Sequence, residues 1–264
     1  MSKTSDLFET YYKYKKIDDK NPIVFIHGIG LTHEIWDQQI DFFKNYNTIV
    51  YDLIGHGKTP LNKKRISMKD FSKQLLGLMN ELSLNKIHLV GFSLGSLIAR
   101  DFASKYSDRL SSLTLFGTVY KRTEDEKRVV INRYETMKLN KDVSKKRALG
   151  RWFTEEFIKK NPIIYKKIYS MLSKNKHDNW LKVYKLFVYH EDDDMSLKQI
   201  SAKSLVVTGE NDIGSKPEMS KQISKMIRGS QYKTIKNGKH LCNIECAEIF
   251  NITIKEFIDN NAQA

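Results

Sequence analysis

Three side chains that can jointly activate a hydroxyl occur in one order along the chain, Ser93, Asp212 and His240, separated by 119 and 28 residues. A serine hydroxyl is a poor nucleophile until a base takes its proton. Histidine can do so near neutral pH, where its charge changes. An aspartate bonded to that histidine fixes its tautomer and stabilises the imidazolium as it forms. The surroundings of Ser93 suit the nucleophile's part: Gly91-Phe92-Ser93-Leu94-Gly95 stands between an apolar run ending at Val90 and an apolar, helix-prone segment starting at Leu94. This reads as strand, tight turn and helix with a serine at the tip. Glycines at 91 and 95 remove the Cβ atoms that would collide in so close an approach. A serine on such a turn is held out toward substrate. The bare G-x-S-x-G pattern is a weak signal, so its meaning rests on what the fold places beside it. A tetrahedral oxyanion would also need donors, and the candidates are the N–H of Leu94, just after the serine, and that of Ile29 in His27-Gly28-Ile29-Gly30.

Strands alternating with helices must position these groups. Pro22–Ile26, Thr48–Asp52, Lys86–Val90, Leu113–Phe116, Ser204–Thr208 and Gln231–Ile235 read as strands, the most apolar of them as strands buried on both faces. Thr32–Tyr46, Ser67–Leu82, the segment from Leu94 to about Tyr106, Pro217 to about Ile227, and Ala247–Asp259 read as helices. Ser67 with Asp70 is a variant capping box. Phe8–Lys16 alternates loosely, as an edge strand or hairpin does. The alternation predicts an α/β fold, a mostly parallel sheet covered by helices on both faces. In such a sheet, sites form beyond the C-terminal ends of strands. Four polar features fall there: the loop at 27–30, Ser93, Asp212 and His240. Residues 119–200 interrupt the pattern with helices and no clean strand. They are expected to be an inserted helical cap, or lid, on a core made of 1–118 and 201–264.

Each feature has a plainer explanation to set beside the chemical one. His27 is expected to be a satisfied structural histidine bracing its loop, and Gly55-His56-Gly57 a structural turn. Glu210 neighbours Asp212, which is preferred because it sits later, at the loop tip. No acid directly follows the strand ending at Phe116, which removes the other usual place for one. His240-x-Cys242-x₃-Cys246 has metal-like spacing but lacks a fourth ligand, so no metal is expected and the cysteines read as packing residues. The aromatics between Trp152 and Tyr189 read as core, and the acidic run Glu191–Asp194 as a solvated loop.

With 264 residues, 40% of them hydrophobic, the chain can bury a large single core. No apolar run approaches the roughly 18 residues that span a bilayer. The N-terminus has no apolar signal core, so a cytoplasmic protein, monomeric or homodimeric and without a membrane partner, is expected. The net charge is +14, and nine of those charges come from residues 121–203, with 21 Lys+Arg against 12 Asp+Glu. The excess forms no compact cluster, so no nucleic-acid partner is expected. A basic lid would instead favour an anionic small substrate, with Arg151 a candidate carboxylate partner.

The motifs together carry a resemblance. His27-Gly28-Ile29-Gly30, Asp52-Leu53-Ile54-Gly55-His56-Gly57, Gly91–Gly95, Leu205–Asp212 and Gly238-Lys239-His240 make the chain resemble an α/β-hydrolase over essentially its whole length. Arg151-Trp152-Phe153-Thr154 and His240-Leu241-Cys242-Asn243-Ile244-Glu245 make it similar to the 3-oxoadipate enol-lactonase and carboxylesterase branch, while the stretch from Trp180 to Tyr189 departs from it. The resemblance implies an α/β-hydrolase fold, no metal and no organic cofactor. It also implies hydrolysis of a carboxylic ester or lactone through an acyl-enzyme, with Ser93 as nucleophile, His240 as base and Asp212 as orienting acid. Ile29 and Leu94 would form the oxyanion hole, and Arg151 and Trp152 would contact substrate. A serine at position 93 argues against the branches that use aspartate there. Two alternatives stay open: carbon–carbon bond hydrolysis of a diketone-type acid, and a non-enzymatic ligand-binding protein on the same fold.

Overall fold

A computed structural model describes residues 2–139 and 141–261, with the side chains of 141–144 left aside. Residues 1, 140 and 262–264, which fall in the expected core and lid spans, lie outside the described residues. In chain order the elements are β1 (Ser2–Lys3), β2 (Tyr11–Lys15), β3 (Ile23–Ile26), a 3-10 turn (His33–Trp36), α1 (Asp37–Phe42), β4 (Thr48–Tyr51), α2 (Met68–Glu81), β5 (Ile87–Phe92), α3 (Leu94–Tyr106) and β6 (Leu110–Phe116). Helices follow without a strand: α4 (Glu124–Leu139), α5 (Lys141–Trp152), α6 (Glu155–Lys160), α7 (Pro162–Lys174), α8 (His177–Val188) and α9 (Asp194–Lys198). The chain then returns through β7 (Ser204–Gly209), α10 (Pro217–Met226), β8 (Gln231–Ile235), α11 (Cys242–Glu245) and α12 (Ala247–Asp259).

Among the described residues the sheet has eight strands in the order β1-β2-β4-β3-β5-β6-β7-β8. From β4 to β8 neighbours run parallel, and β2 pairs antiparallel with both β1 and β4. The stretch expected as an edge strand or hairpin holds β2, one arm of a short antiparallel pair with β1; the edge itself is β1, which precedes that stretch. Strands β3, β5, β6 and β7 are buried along their whole length. Their side chains alternate between two apolar layers. Val24, Leu89, Leu115 and Val206 meet α2 and α3 on one face. Phe25, Val90, Phe116 and Val207 meet Trp36 and Phe250 on the other. This is why these strands read as unbroken apolar runs.

Two glycines set how closely α3 lies on the sheet. A Cβ at Gly91 would stand 2.4 Å from the Gly95 carbonyl oxygen, and one at Gly95 would stand 2.5 Å from that of Ile26. Either contact is impossible, so the helix can start against the ends of β3 and β5 only with glycine at both places. The helix expected over Thr32–Tyr46 is split. His33 gives both its backbone N–H (2.9 Å) and its ring Nδ1 (2.8 Å) to Asp52 Oδ1, which tightens the first turn and leaves α1 only Asp37–Phe42.

The acidic run corrects an expectation in part: Glu191 and Asp193 are exposed as a solvated loop would have them, but Asp192 is not. Asp192 pairs with Arg100 of α3 at 2.8 Å, the two side chains only 10% and 7% exposed, and accepts from the Lys121 N–H at 2.7 Å. Asp194 accepts from the Tyr120 hydroxyl at 2.6 Å, and Asp193 from the Met195 N–H at 2.9 Å as the cap of α9. Burial pushes the Asp192 carboxyl up, but His190 and Arg100 outweigh it and hold it below the usual carboxylate range. The run fastens the returning end of the helical segment to the sheet. Among the described residues no helix is long and apolar enough to cross a membrane.

Candidate active site

Ser93 occupies the turn between β5 and α3 at φ 54°, ψ −113°, a conformation that L side chains rarely adopt. The strain is held by hydrogen bonds on both sides. The Ser93 N–H donates to the Phe116 carbonyl (2.9 Å), and the Ser93 carbonyl accepts from Ser96 (3.0 Å) and Leu97 (3.2 Å). Beneath it Phe92 stacks on Phe116 and touches the His240 ring, with centroids 4.7 and 4.8 Å apart. A buried aromatic at Phe92 therefore anchors the turn and supports the imidazole at once.

The structure brings Ser93, His240 and Asp212 into one hydrogen-bonded line. His240 Nδ1 lies 2.6 Å from Asp212 Oδ2, and His240 Nε2 lies 3.2 Å from Ser93 Oγ. A carboxylate can only accept, so Nδ1 carries the proton and Nε2 is left to accept from the serine. The other Asp212 oxygen, Oδ1, accepts from the N–H groups of Gly214 and Ser215, each at 2.9 Å. Neither oxygen of this buried carboxylate is idle, which fixes its plane. The loops after β7 and β8 are laced together: Asn211 donates to the Gly238 carbonyl (2.8 Å) and Glu210 to that of Ile235 (2.9 Å). A Cβ at Gly209 would lie 2.3 Å from the Lys239 carbonyl oxygen. Glu210 points elsewhere, exposed and accepting from the Asn237 N–H at 2.9 Å.

The loop at 28–30 lies directly against the serine, since a Cβ at Gly28 would stand 3.2 Å from that of Ser93. Among the described residues, neither the Ile29 nor the Leu94 N–H donates to a protein acceptor. The loop is held from below by two histidines. The Leu53 N–H donates to His27 Nε2 (3.0 Å), so Nδ1 carries the proton that His27 gives to the Gly28 carbonyl (2.8 Å). The Gly30 N–H donates to His56 Nε2 (3.0 Å), and His56 Nδ1 gives its proton to the Ile54 carbonyl (3.2 Å). Burial pushes both rings toward the neutral form, His27 to about 4 and His56 to about 3. His27 is thus the brace expected of it, and His56 is more than a turn residue, because it holds the oxyanion-loop candidate. From above, Asn175 at the end of α7 donates its Nδ2 to the Gly30 carbonyl at 2.6 Å.

Above these groups lies a cavity of about 580 Å³, lined by Ile29, Ser93 and His240 below and by Trp152, Trp180 and Tyr184 of the helical segment above. The aromatics expected as core divide: Phe153 is fully buried, whereas Trp152 and Trp180 face the cavity, and Tyr184 and Phe187 are buried while also lining it. Arg151 and Trp152 both line it as well, Trp152 with its ring centroid 6.2 Å from that of His240. Their position is tied to the histidine's own loop. The Leu241 N–H donates to the Trp152 carbonyl (3.1 Å), and Lys239 Nζ to the carbonyls of Gly150 (3.0 Å) and Phe153 (3.1 Å). Glu245 Oε1 accepts from the Thr154 N–H at 2.8 Å and hydroxyl at 2.5 Å. Asn175, Glu245 and Trp180 went unread as site residues because nothing local marks them. Their partners lie 145 and 91 residues away in the first two cases.

Cys242 is buried under the turn that carries His240, where a Cβ at Gly238 would meet its own at 2.5 Å, and Cys246 is part-exposed; neither forms a disulfide. Among the described residues no group of three His, Cys, Asp or Glu side chains is arranged to hold a metal ion.

The family described as alpha/beta hydrolase fold matches residues 21–140. The (E)-2-((N-methylformamido)methylene)succinate hydrolase of Acinetobacter baylyi is 28% identical over 252 residues, 93% of each chain. The 3-oxoadipate enol-lactonase 1 of the same organism is 25% identical over 230 residues, 86% of this chain and 85% of that one. Among solved structures, the enol-lactonase from Burkholderia xenovorans LB400 superposes with a TM-score of 0.88 at 21% identity, covering 96% of this chain and 97% of that one.

Proposed function

This chain has the α/β-hydrolase fold, and we propose that it is a serine hydrolase that cleaves a carboxylic ester or lactone through an acyl-enzyme. The observation that carries the proposal is the line Asp212 Oδ2–His240 Nδ1 (2.6 Å) and His240 Nε2–Ser93 Oγ (3.2 Å), at a serine held at φ 54° in the floor of the cavity. His240 Nε2 takes the Ser93 proton as Oγ attacks the carbonyl carbon. The developing oxyanion is met by the N–H groups of Ile29 and Leu94, each such donor contributing about 3 kcal/mol of transition-state stabilisation. The tetrahedral species collapses, the acyl–oxygen bond breaks, and His240 returns the proton to the departing oxygen. In a lactone that oxygen stays tethered to the acyl group. Water then attacks the acyl-enzyme with His240 again as base, releasing the acid and restoring Ser93. Asp212 keeps Nδ1 protonated throughout and stabilises the imidazolium.

The helices between β6 and β7 act as a lid in this reading. The name of one relative, an enol-lactonase, supports the lactone part of the proposal, and that of another, a hydrolase of a substituted succinate, supports hydrolysis alone. A fluorophosphonate probe tests the reading directly. Wild-type protein should be labelled covalently at Ser93, and Ser93→Ala should lose labelling along with about 10⁴-fold or more of its esterase kcat. Equal labelling of the two proteins would sink the proposal.

A further inference from the structure

Several cations of the helical segment pair locally at its surface, as Lys127 does with Glu124, Lys138 with Glu135 and Lys160 with Glu156. Arg122, Arg133 and Arg151 behave differently. All three line the cavity above Ser93. Among the described residues none of the three shares an ion pair with a carboxylate, because the acidic residues of the cavity wall are taken. Glu126 is held by Lys216 at 2.6 Å, Asp125 by Arg128, and Asp212 by His240. Arg122 gives Nη1 to the Phe187 carbonyl (3.0 Å) and lies 4.5 Å over the Phe187 ring, while its Nη2 is buried with no partner. Burial pushes the Tyr184 hydroxyl up, and the positive charges of Arg133, Arg151 and Arg122 act against that shift. Burial, and next the charge of Arg133, pull Arg151 down to about 10.

Desolvating like charges together is costly unless they are compensated. A guanidinium offers a planar fork that grips a carboxylate through two parallel hydrogen bonds. With Asp125, Glu126 and Asp212 engaged by Arg128, Lys216 and His240, the three guanidiniums face the cavity with no carboxylate of the described wall paired to them. One carboxylate has two oxygens and receives the fork of one guanidinium, so three guanidiniums outnumber it. Arg151 also sits beside Trp152, whose carbonyl accepts from the Leu241 N–H, so the cluster keeps a fixed place relative to His240. We propose that Arg122, Arg133 and Arg151 form a dicarboxylate subsite, so that the substrate is an ester or lactone bearing two further carboxylates beside the scissile carbonyl. The substrate part of this statement rests on the serine-hydrolase reading; the subsite itself does not.

Calorimetric titration with glutarate, butyrate and diethyl glutarate tests it on both wild-type protein and Ser93→Ala, with melting curves for every variant. Glutarate should bind at least about tenfold more tightly than butyrate, and diethyl glutarate more weakly than either, with the glutarate preference shrinking as salt rises. Arg151→Gln and Arg133→Gln should each weaken glutarate by about tenfold. Arg151→Lys should restore only part of that, because it returns the charge without the fork. Arg122→Gln is the variant most exposed to folding damage, through its bond to Phe187, so the other two decide. If glutarate binds no better than butyrate, or all well-folded arginine variants bind it as wild type does, the subsite is overturned. Glutarate selectivity in a protein whose Ser93 resists the fluorophosphonate would overturn the hydrolase reading and leave the subsite standing.

Discussion

The floor of the cavity and its roof are fixed by different means. In the floor, main-chain geometry decides. Ser93 is strained between two sets of backbone hydrogen bonds, Gly91 and Gly95 tolerate no Cβ, and Asp212 is oriented by two N–H groups. In the roof, side chains decide. Arg100–Asp192, Thr154–Glu245 and Asn175–Gly30 are contacts between segments far apart in sequence, and rings such as Trp180 and Tyr184 stack on one another at 5.1 Å. The floor has no freedom to vary without losing its chemistry. The roof can exchange one packing for another, and that is where a fold of this type can change what it binds while keeping how it reacts.

Acid should reach the floor first, and the effect should be the largest that one solution variable produces. His27 and His56 of the floor, and His88 at the opposite end of β5, are all pushed down by burial, to about 4, 3 and 4. In the unfolded chain each returns to about 6.5. A histidine whose folded pKa is depressed binds its proton more readily when unfolded. Stability is therefore complete above about 6.5 and falls with pH through the window down to about 4, by about 1.4 kcal/mol per pH unit for each ring. The buried carboxylates that are held low, Asp52 and Asp192, act only below the usual carboxylate range and leave this window to the imidazoles. Urea midpoints measured at pH 7 and pH 5 should differ by on the order of several kcal/mol in unfolding free energy. A flat profile would mean that the floor is not braced by neutral histidines.

Asp192→Ala should separate the two regions next. It leaves the Arg100 guanidinium buried without its carboxylate, a loss of about 3 kcal/mol. Hydrogen exchange should rise in residues 119–200 and stay low in β5 and β7, since the pair ties the returning helical segment to α3. Exchange rising equally through the sheet would show that floor and roof fold as one unit.

The floor was legible in the sequence because each of its parts answers to a local rule. An apolar run ends, a polar residue follows, and the glycines at 91 and 95 mark where strand and helix crowd. Ser93, Asp212 and His240 all stand at strand ends for that reason. What escaped has partners distant in sequence. The acidic run reads as solvated until Arg100 and Tyr120, 92 and 74 residues away, are brought to it. The helix after Thr32 reads as continuous until Asp52 captures His33. Basic residues fill the helical segment, and periodicity alone does not tell which of them turn toward the cavity. Composition registered the excess of charge but not its address.

The smallest expected effect lies where the regions touch. Gly30 is gripped from the floor by His56 through its N–H and from the roof by Asn175 through its carbonyl, at 3.0 and 2.6 Å. There is no room for another contact, since a Cβ at Gly30 would stand 2.9 Å from Leu172 and 3.0 Å from the Trp180 indole nitrogen. The two grips fix the peptides on either side of Gly30, and so the course of the loop whose Ile29 N–H is proposed to stabilise charge only in the transition state. Removing the upper grip should therefore lower kcat more than it raises KM. Asn175→Ala should cost about tenfold in kcat, about 1.4 kcal/mol, with fluorophosphonate labelling of Ser93 slowed in proportion. Asn175→Asp should do worse, because it sets a carboxylate acceptor against the Gly30 carbonyl, and neither variant should shift the melting temperature as Asp192→Ala does. If both variants raise KM alone, Asn175 serves the roof's packing, and the loop beside Ser93 is held by the floor unaided.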